Sequence, residues 1–354
     1  MITLAIVFLT LNALGVTAVS RDFSAVVHSQ TPVRALVSDA YDGSTPRPLL
    51  VYLHGFCASD DAQQALELTS MRRVPAVRNR LGVDRRRQQV LVQTGLREAA
   101  LAEDWIYVAP QAPRTTRECV LCNMPERSPN SQDRLFASWI TGIMARETPE
   151  FTCRAWDGSD AVAFPESGAT DDNDVHYIEE IIEATKKQFN VDSDRIYIAG
   201  IATGGFMANR MACERPGAFR GVATFSAGTF KNASRCTPDD KTSVLLIHGT
   251  DDLTVPIDGG VNSRGVAFPS SDESFEILGD AMGCSNVISQ ERSTLPVDGG
   301  NAQPDVDVRK RKFQKCAENV KVEQWTLKGV DHFLERPTSE AMFKDAVAWL
   351  KDLQ

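Results

Sequence analysis

The chain predicts an α/β fold, a mainly parallel sheet with helices packed on both of its faces. Runs such as PLLVYLHG at 48–55 and SVLLIH at 243–248 are almost continuously apolar, as strands buried on both faces of a parallel sheet must be. Between such runs lie segments with helical spacing, among them Val175, Ile178, Ile181, Ile182 and Phe189 with charges interleaved. Strands alternating with helices imply crossover connections and a sheet covered on both sides. No internal repeat or low-complexity linker interrupts the 354 residues, so a single domain is expected over residues 21–354.

The elements follow in order. Residues 1–20, MITLAIVFLTLNALGVTAVS, carry no charge and end on the small residues Ala18 and Ser20 before Arg21. This reads as a cleaved secretory signal, and Asn12 within the run favours a leader over a membrane anchor. Residues 31–37 and 49–53 read as strands separated by the turn Asp42-Gly43-Ser44-Thr45-Pro46. Residues 60–103, rich in Ala, Leu, Arg and Gln, predict helix with a break near Gly82, and 105–109 predicts a buried strand. From 111 to 173 Pro, Ser, Asp and three cysteines displace the periodicity, which predicts an irregular, cross-linked insertion near the functional face.

Further on, the helix around 175–189 has Asn173 or Asp174 as its cap. Residues 195–200 and 204–214 predict a strand and a helix, the latter stopped by Pro216-Gly217. Strands are expected at 221–227 and 243–248 and a helix at 274–282. A second irregular insertion covers about 285–318. A strand at 320–327 precedes a last helix with Phe343, Ala346, Val347 and Leu350 on one face.

Composition narrows the function. A formal charge of -9 gives no general attraction to nucleic acid or to anionic membrane, so neither is an expected partner beyond the signal segment. The basic cluster from Arg72 to Arg87 reads as a solvated helix face. Eight cysteines behind a leader fit an oxidising compartment and suggest staples on loops. Cys119 and Cys122 form a C-x-x-C pair without a second pair or nearby histidine, so no metal is expected, and no cofactor motif is present. Asn232-Ala233-Ser234 is a glycosylation sequon compatible with secretion.

The stretch YIAGIATGGFM at 197–207 has the layout of a strand, a glycine-flanked turn and the first turn of a helix. That is how a serine nucleophile is displayed in the G-x-S-x-G pattern, but the middle position here is Ala202. Acyl transfer needs a nucleophile, a base, a carboxylate that orients the base, and donors for the oxyanion. Ala202, Asp252 and His332 follow three successive predicted strands in the order nucleophile, acid, histidine. Asp252, in HGTDDLTVP at the end of a buried strand, can meet His332 and is preferred to its nearest rival Asp251. The amides of Phe56 or Cys57, after the glycine turn that ends the first buried strand, and that of Thr203 are the expected oxyanion donors. His54 and His248 read as bracing residues.

Taken together, these segments resemble the esterase family of extracellular poly(3-hydroxybutyrate) depolymerases and feruloyl esterases, within the α/β-hydrolase superfamily. The resemblance runs through PLLVYLHGF, DWIYVAPQ, the stretch DVHYIEEIIEATKKQFNVDSDRIYIAGIATGGFMANRMACERP, SVLLIHGTDDLTVP and VKVEQWTLKGVDHFLERP. It implies an α/β-hydrolase fold, a small or polymeric ester ligand, and bridges Cys213–Cys236 and Cys284–Cys316. Cys57, Cys119, Cys122 and Cys153 are then left with three possible pairings. Relatives carry G-x-S-N-G-G at the elbow, whereas Ile201, Ala202 and Thr203 all differ here, which fits natural divergence better than one engineered change. Ala161-Val162-Ala163 stand where relatives have paired cysteines. The expectation is a secreted esterase-family protein impaired at Ala202. The alternatives are an active esterase using a non-standard nucleophile such as Thr203 or Ser226, or a water activated by His332, and a non-catalytic binding protein.

Overall fold

The computed structural model describes residues 7–10, 17–23, 33–55, 94–116, 153–159, 173–261, 267–297, 304–317, 319–332 and 336–353. Strands β1 to β5 are Val7–Thr10, Thr17–Phe23, Val33–Ser38, Arg47–Leu53 and Ile106–Val108. Strands β6 to β10 are Arg114–Thr116, Cys153–Ala155, Val191–Ile201, Gly221–Phe225 and Ser243–Gly249. Strands β11 to β15 are Gly260–Val261, Ala267–Phe268, Ile288–Leu295, Val306–Phe313 and Val322–Leu327. Helices α1 to α5 are Thr94–Ala102, Asn173–Gln188, Thr203–Glu214, Ser271–Ala281 and Arg336–Lys351.

Among the described residues an eleven-stranded sheet runs in the order β1-β2-β3-β5-β4-β8-β9-β10-β15-β14-β13. From β5 through β4, β8, β9 and β10 to β15 every neighbouring pair is parallel. Antiparallel strands extend the sheet on both sides. The alternation of side chains along each strand sends its apolar residues to two separate cores. Leu49, Val51, Leu53, Ile196, Ile198, Val222, Val244 and Leu246 pack with α2, α3 and α4. Leu50, Tyr52, Tyr197, Ala199, Phe225, Leu245, Ile247 and Trp325 pack with α1 and α5. Near-continuous apolar runs therefore sit at the centre because both faces of these strands need covering. The expected helices-on-both-faces α/β architecture is the observed one.

Residues 285–318 correct the sequence reading. Two segments of this predicted irregular insertion are the antiparallel strands β13 and β14, paired over eight positions from Ile288↔Phe313 to Leu295↔Val306. The sequence VDVRKRKF hides a strand because its long cations lie along apolar surface instead of pointing into water. Lys310 Nζ stands 4.1 Å over the Trp325 ring and the Arg311 guanidinium 4.9 Å over Phe275. Of the first insertion, Arg114–Thr116 and Cys153–Ala155 pair antiparallel. The helix predicted over 60–103 is seen as α1 at its end, and residues 56–93 lie outside the described residues. The apolar start, read as a leader, here supplies β1 and the first part of β2 at the sheet edge. No helix among the described residues is long and apolar enough to cross a membrane.

Among the described residues, two bridges staple loops around the core. Cys213 at the end of α3 is joined to Cys236, and Cys284 after α4 to Cys316 after β14.

Candidate active site

The elbow sits between β8 and α3, and its geometry comes from close backbone packing. A Cβ on Gly200 would stand 2.2 Å from Gly204 O, and one on Gly204 would stand 2.1 Å from Leu53 O. Only hydrogen can occupy either place, so the turn closes against itself and against the end of β4. Ala202 is held at φ 50, ψ -121, a conformation that costs a residue other than glycine ~1–3 kcal/mol unless its surroundings enforce it. Two hydrogen bonds enforce it here. Ala202 N donates to Phe225 O at 3.0 Å, and Phe206 N donates to Ala202 O at 3.0 Å. The backbone of a nucleophile elbow is thus present with a methyl group at its tip.

The acid and the histidine lie 80 residues apart and meet because their loops are knitted together. Thr250 N donates to Leu327 O at 2.9 Å, Asp251 N to Val330 O at 3.0 Å, and Gly329 N to Thr250 Oγ1 at 2.8 Å. Asp252 is 3% exposed and His332 8% exposed. Asp252 Oδ2 lies 2.9 Å from His332 Nδ1. Its other oxygen accepts from Thr254 N at 2.9 Å and Val255 N at 2.8 Å. With four acceptor sites on a carboxylate and only acceptors there when ionised, Nδ1 carries the proton toward Asp252, which turns Nε2 away from it. Asp251 is exposed and accepts from its neighbour Thr250 Oγ1, so Asp252 and not Asp251 holds the imidazole.

Electrostatics lock the pair. Burial pushes the Asp252 pKa up, but the His332 charge and hydrogen bonds from His248 and His332 more than reverse this and hold the carboxyl below its ordinary range. Burial pulls the His332 pKa down, while the charge and hydrogen bond of Asp252 and the charge of Asp331 outweigh it and leave the pKa raised. His248 Nε2 lies 2.7 Å from Val255 O and 3.5 Å from Asp252 Oδ2. The shorter contact braces the turn that presents Asp252, and the longer one adds a weaker attraction to its carboxylate.

His54 braces the opposite wall. Its Nε2 accepts from Ala112 N at 3.0 Å, so Nδ1 bears the proton and donates to Gly55 O at 2.7 Å. Trp156, fully buried, packs 5.6 Å from the His54 ring. This fixes the turn at Gly55, where a Cβ would stand 3.6 Å from the Ala202 methyl. The oxyanion candidates Phe56 and Cys57, next along that turn, lie outside the described residues. Thr203 opens α3, and its amide belongs to the first helical turn, which has no intrahelical acceptor. Its Oγ1 is buried without a hydrogen-bond partner. Neighbouring strands put Ser226, one of the alternative nucleophiles named from the sequence, one step past the Ile201↔Phe225 pair, beside Ala202, at φ 51 and 5% exposed. Asn232 is exposed, with Oδ1 accepting from Ser234 N and Ser234 Oγ.

Known proteins fit this arrangement. The sequence profile of the family described as Phospholipase/Carboxylesterase matches residues 155–273, which hold the elbow and Asp252. A probable feruloyl esterase C of Aspergillus terreus is 29% identical over 36% of this chain and 50% of its own length. Feruloyl esterase B of Piromyces equi is 25% identical over 46% of this chain and 29% of its own. A putative esterase of Nocardia uniformis is 33% identical over 25% of this chain and 26% of its own. The chain spans about half the length of the feruloyl esterases of type C that it matches. Among solved structures, an acetyl xylan esterase from Aspergillus awamori aligns over 92% of this chain and 99% of its own, with TM-score 0.47 and 12% identity, too distant to bear on function. With its parallel core, its elbow and the acid and histidine following in order, the chain has an α/β-hydrolase fold, and its sequence is similar to carboxylesterases and feruloyl esterases over part of its length.

Proposed function

We propose that this is a secreted esterase-family protein of the feruloyl esterase kind whose cleft still receives an ester but whose hydrolytic step is disabled at Ala202. The observation that carries the reading is the methyl group at the tip of an intact elbow in a chain that also holds a buried Asp252–His332 pair after the later strands. A methyl group forms no acyl-enzyme. Loss of the nucleophile in a serine hydrolase costs on the order of 10⁶ in turnover, about 8 kcal/mol of barrier, and leaves a residual ~10³ to 10⁴ over water. The ligand class, a hydroxycinnamoyl or related ester on a small or polymeric alcohol, follows the named relatives; the polyester side of the resemblance rests on sequence motifs alone. Secretion is supported by the apolar start and by the two bridges. Asn232 is the proposed glycan site, being exposed with its Oδ1 turned into its own loop.

The test is a p-nitrophenyl ester assay paired with fluorophosphonate labelling, on the chain as it stands and on Ala202→Ser. Labelling and turnover are expected only in the serine variant, because Asp252, His332 and the elbow are already placed. Labelling of the unmodified protein would overturn the reading, and the labelled peptide would name the residue that replaced the nucleophile, with Thr203 and Ser226 as candidates. Turnover without labelling would point instead to a water activated by His332.

A further inference from the structure

The two antiparallel strands at the sheet edge carry a charge pattern that the fold does not call for. Strands β13 and β14 pair so that Arg292 stands directly opposite Arg309. Gln314 N donates to Val287 O at 2.8 Å on the same register, and hydrogen-bonded and open pairs alternate along an antiparallel ladder, so Arg292 and Arg309 form an open pair. Side chains are closest there. Cβ atoms of directly opposite residues lie ~4.5–5.5 Å apart, nearest in open pairs, and like charges so placed destabilise the sheet.

The neighbouring cations each have a local answer to their charge. Lys310 lies over the Trp325 ring and opposite Glu291, and Lys312 lies opposite Glu323. Arg311 Nη1 is 2.9 Å from Asp272 Oδ1 and donates to Gln324 Oε1 at 3.2 Å. The same Asp272 oxygen accepts from Gln324 Nε2 at 2.8 Å. Arg309 Nη2 stands 3.8 Å from that already engaged oxygen and donates to the uncharged Thr326 Oγ1 at 3.2 Å. Asp307, the acid diagonal to Arg292, is paired with Lys328 at 3.7 Å. Arg292 itself is exposed and makes no hydrogen bond or ion pair with the described residues. Two guanidiniums thus face each other across the ladder without a carboxylate of their own.

The missing counter-charge has a definite shape. A carboxylate offers two oxygens and one charge, which a single guanidinium satisfies in the bidentate manner. A phosphate group offers three strong acceptor oxygens and about −1.5 to −2 charge near pH 7, enough to accept from two guanidinium forks and offset both. We propose that Arg292 and Arg309 form a binding site for a phosphate group, whose oxygens accept from both side chains and relieve their repulsion. No bond is made or broken. The site stands on the edge strands and is independent of the ester-cleft reading at Ala202.

The test follows the melting temperature of the full chain as inorganic phosphate, glucose 6-phosphate or acetate is added at constant ionic strength. Inorganic phosphate is expected to raise Tm along a saturating curve, as a ligand of the folded state does, and acetate is expected to leave it unchanged. A matching rise with glucose 6-phosphate assigns the site to phosphate monoesters as well, and a rise with inorganic phosphate alone assigns it to the free anion. Arg292→Gln is expected to weaken apparent phosphate binding about tenfold or more, because one charge-assisted fork is lost. Without phosphate the same variant is expected to melt no lower than the parent, since a repulsion has been removed. Lys312→Gln, on the opposite face of β14, is expected to bind phosphate like the parent. No saturating rise with phosphate, an equal rise with acetate, or equal weakening in Arg292→Gln and Lys312→Gln overturns the proposal. A lower Tm for Arg292→Gln before any addition also overturns it, because the fold would then already supply the partner that the phosphate is meant to be.

Discussion

At Ala202 the backbone keeps φ 50 and ψ -121 while the side chain lacks any reactive atom, whereas at Asp252 and His332 both side chains are present, buried and 2.9 Å apart. The elbow is dictated by what surrounds it. Gly200, Gly204, Leu53 O and Phe225 O fix the turn whatever stands at its tip. The facing loops are different. Their backbones are joined by Thr250 to Leu327 and Asp251 to Val330, with no help from the side chains of Asp252 and His332. Burying a carboxylate and an imidazolium costs several kcal/mol per ion and is repaid only by good pairing. The elbow backbone therefore says where chemistry was placed, and the acid and histidine say which chemistry the place is still equipped to support.

If that division holds, the largest effect comes from crowding the elbow. Gly204→Ala drives a Cβ to within 2.1 Å of the Leu53 carbonyl, and a destabilisation above about 4 kcal/mol is expected by chemical denaturation. Gly329→Ala, on the histidine loop, is the contrast. At φ 74 with nothing within 4 Å, it pays only the left-handed backbone penalty of ~1–2 kcal/mol. Similar losses at the two glycines would erase the distinction between a packed elbow and open loops.

Next comes the buried pair. Asp252→Asn leaves an uncompensated polar contact at His332, and a loss of about 3 kcal/mol is expected. Asp251→Asn, at an exposed carboxylate, should change stability by less than ~0.5 kcal/mol. Reversed magnitudes in urea unfolding would hand the orienting role to Asp251.

A smaller and graded effect is the pH dependence. Asp252 has a depressed pKa, so its contribution is present above the unfolded value of ~3.9 and is lost as pH falls through the folded one. His332 has a raised pKa, so its contribution is complete below the unfolded value of ~6.5 and is lost as pH rises through the folded one. Both hold between about pH 4 and 6.5, where the melting temperature should be highest. His332→Asn should flatten the alkaline side of that curve, and an unchanged profile would mean that other groups set it. The smallest effect is expected for Ala202→Ser, whose Tm should stay within about 2 °C, worth less than ~1 kcal/mol for a chain of this size, because neighbours and not the side chain set the elbow. A large shift in Tm would show that residue 202 helps to hold the turn.

How much was readable in sequence differs with environment. Strands buried on both faces announce themselves: β4, β9, β10 and the second half of β8 from Ile196 are nearly unbroken apolar runs and lie within a few residues of where expected, whereas the polar start of β8, Val191 to Asp194, adds four residues to the expected strand. Helix α4 begins at Ser271, three residues before the expected start, because Ser270 and Glu273 form a capping box; the S-x-x-E spacing at 270–273 was the available signal. The hairpin β13–β14 was read as irregular because a half-exposed antiparallel edge needs few apolar residues, and its cations hide their stems against Trp325 and Phe275.

Residue order and type in the chain were enough for the α/β architecture, the elbow, its missing serine, and the order in which Asp252 and His332 follow, since each depends on local periodicity or on a short motif. Three-dimensional packing was needed to place Ser226 beside Ala202, to set the tautomer of His54 and to turn residues 288–295 and 306–313 into paired strands. Each of these depends on contacts between segments tens of residues apart, and such contacts leave no periodic trace in a sequence.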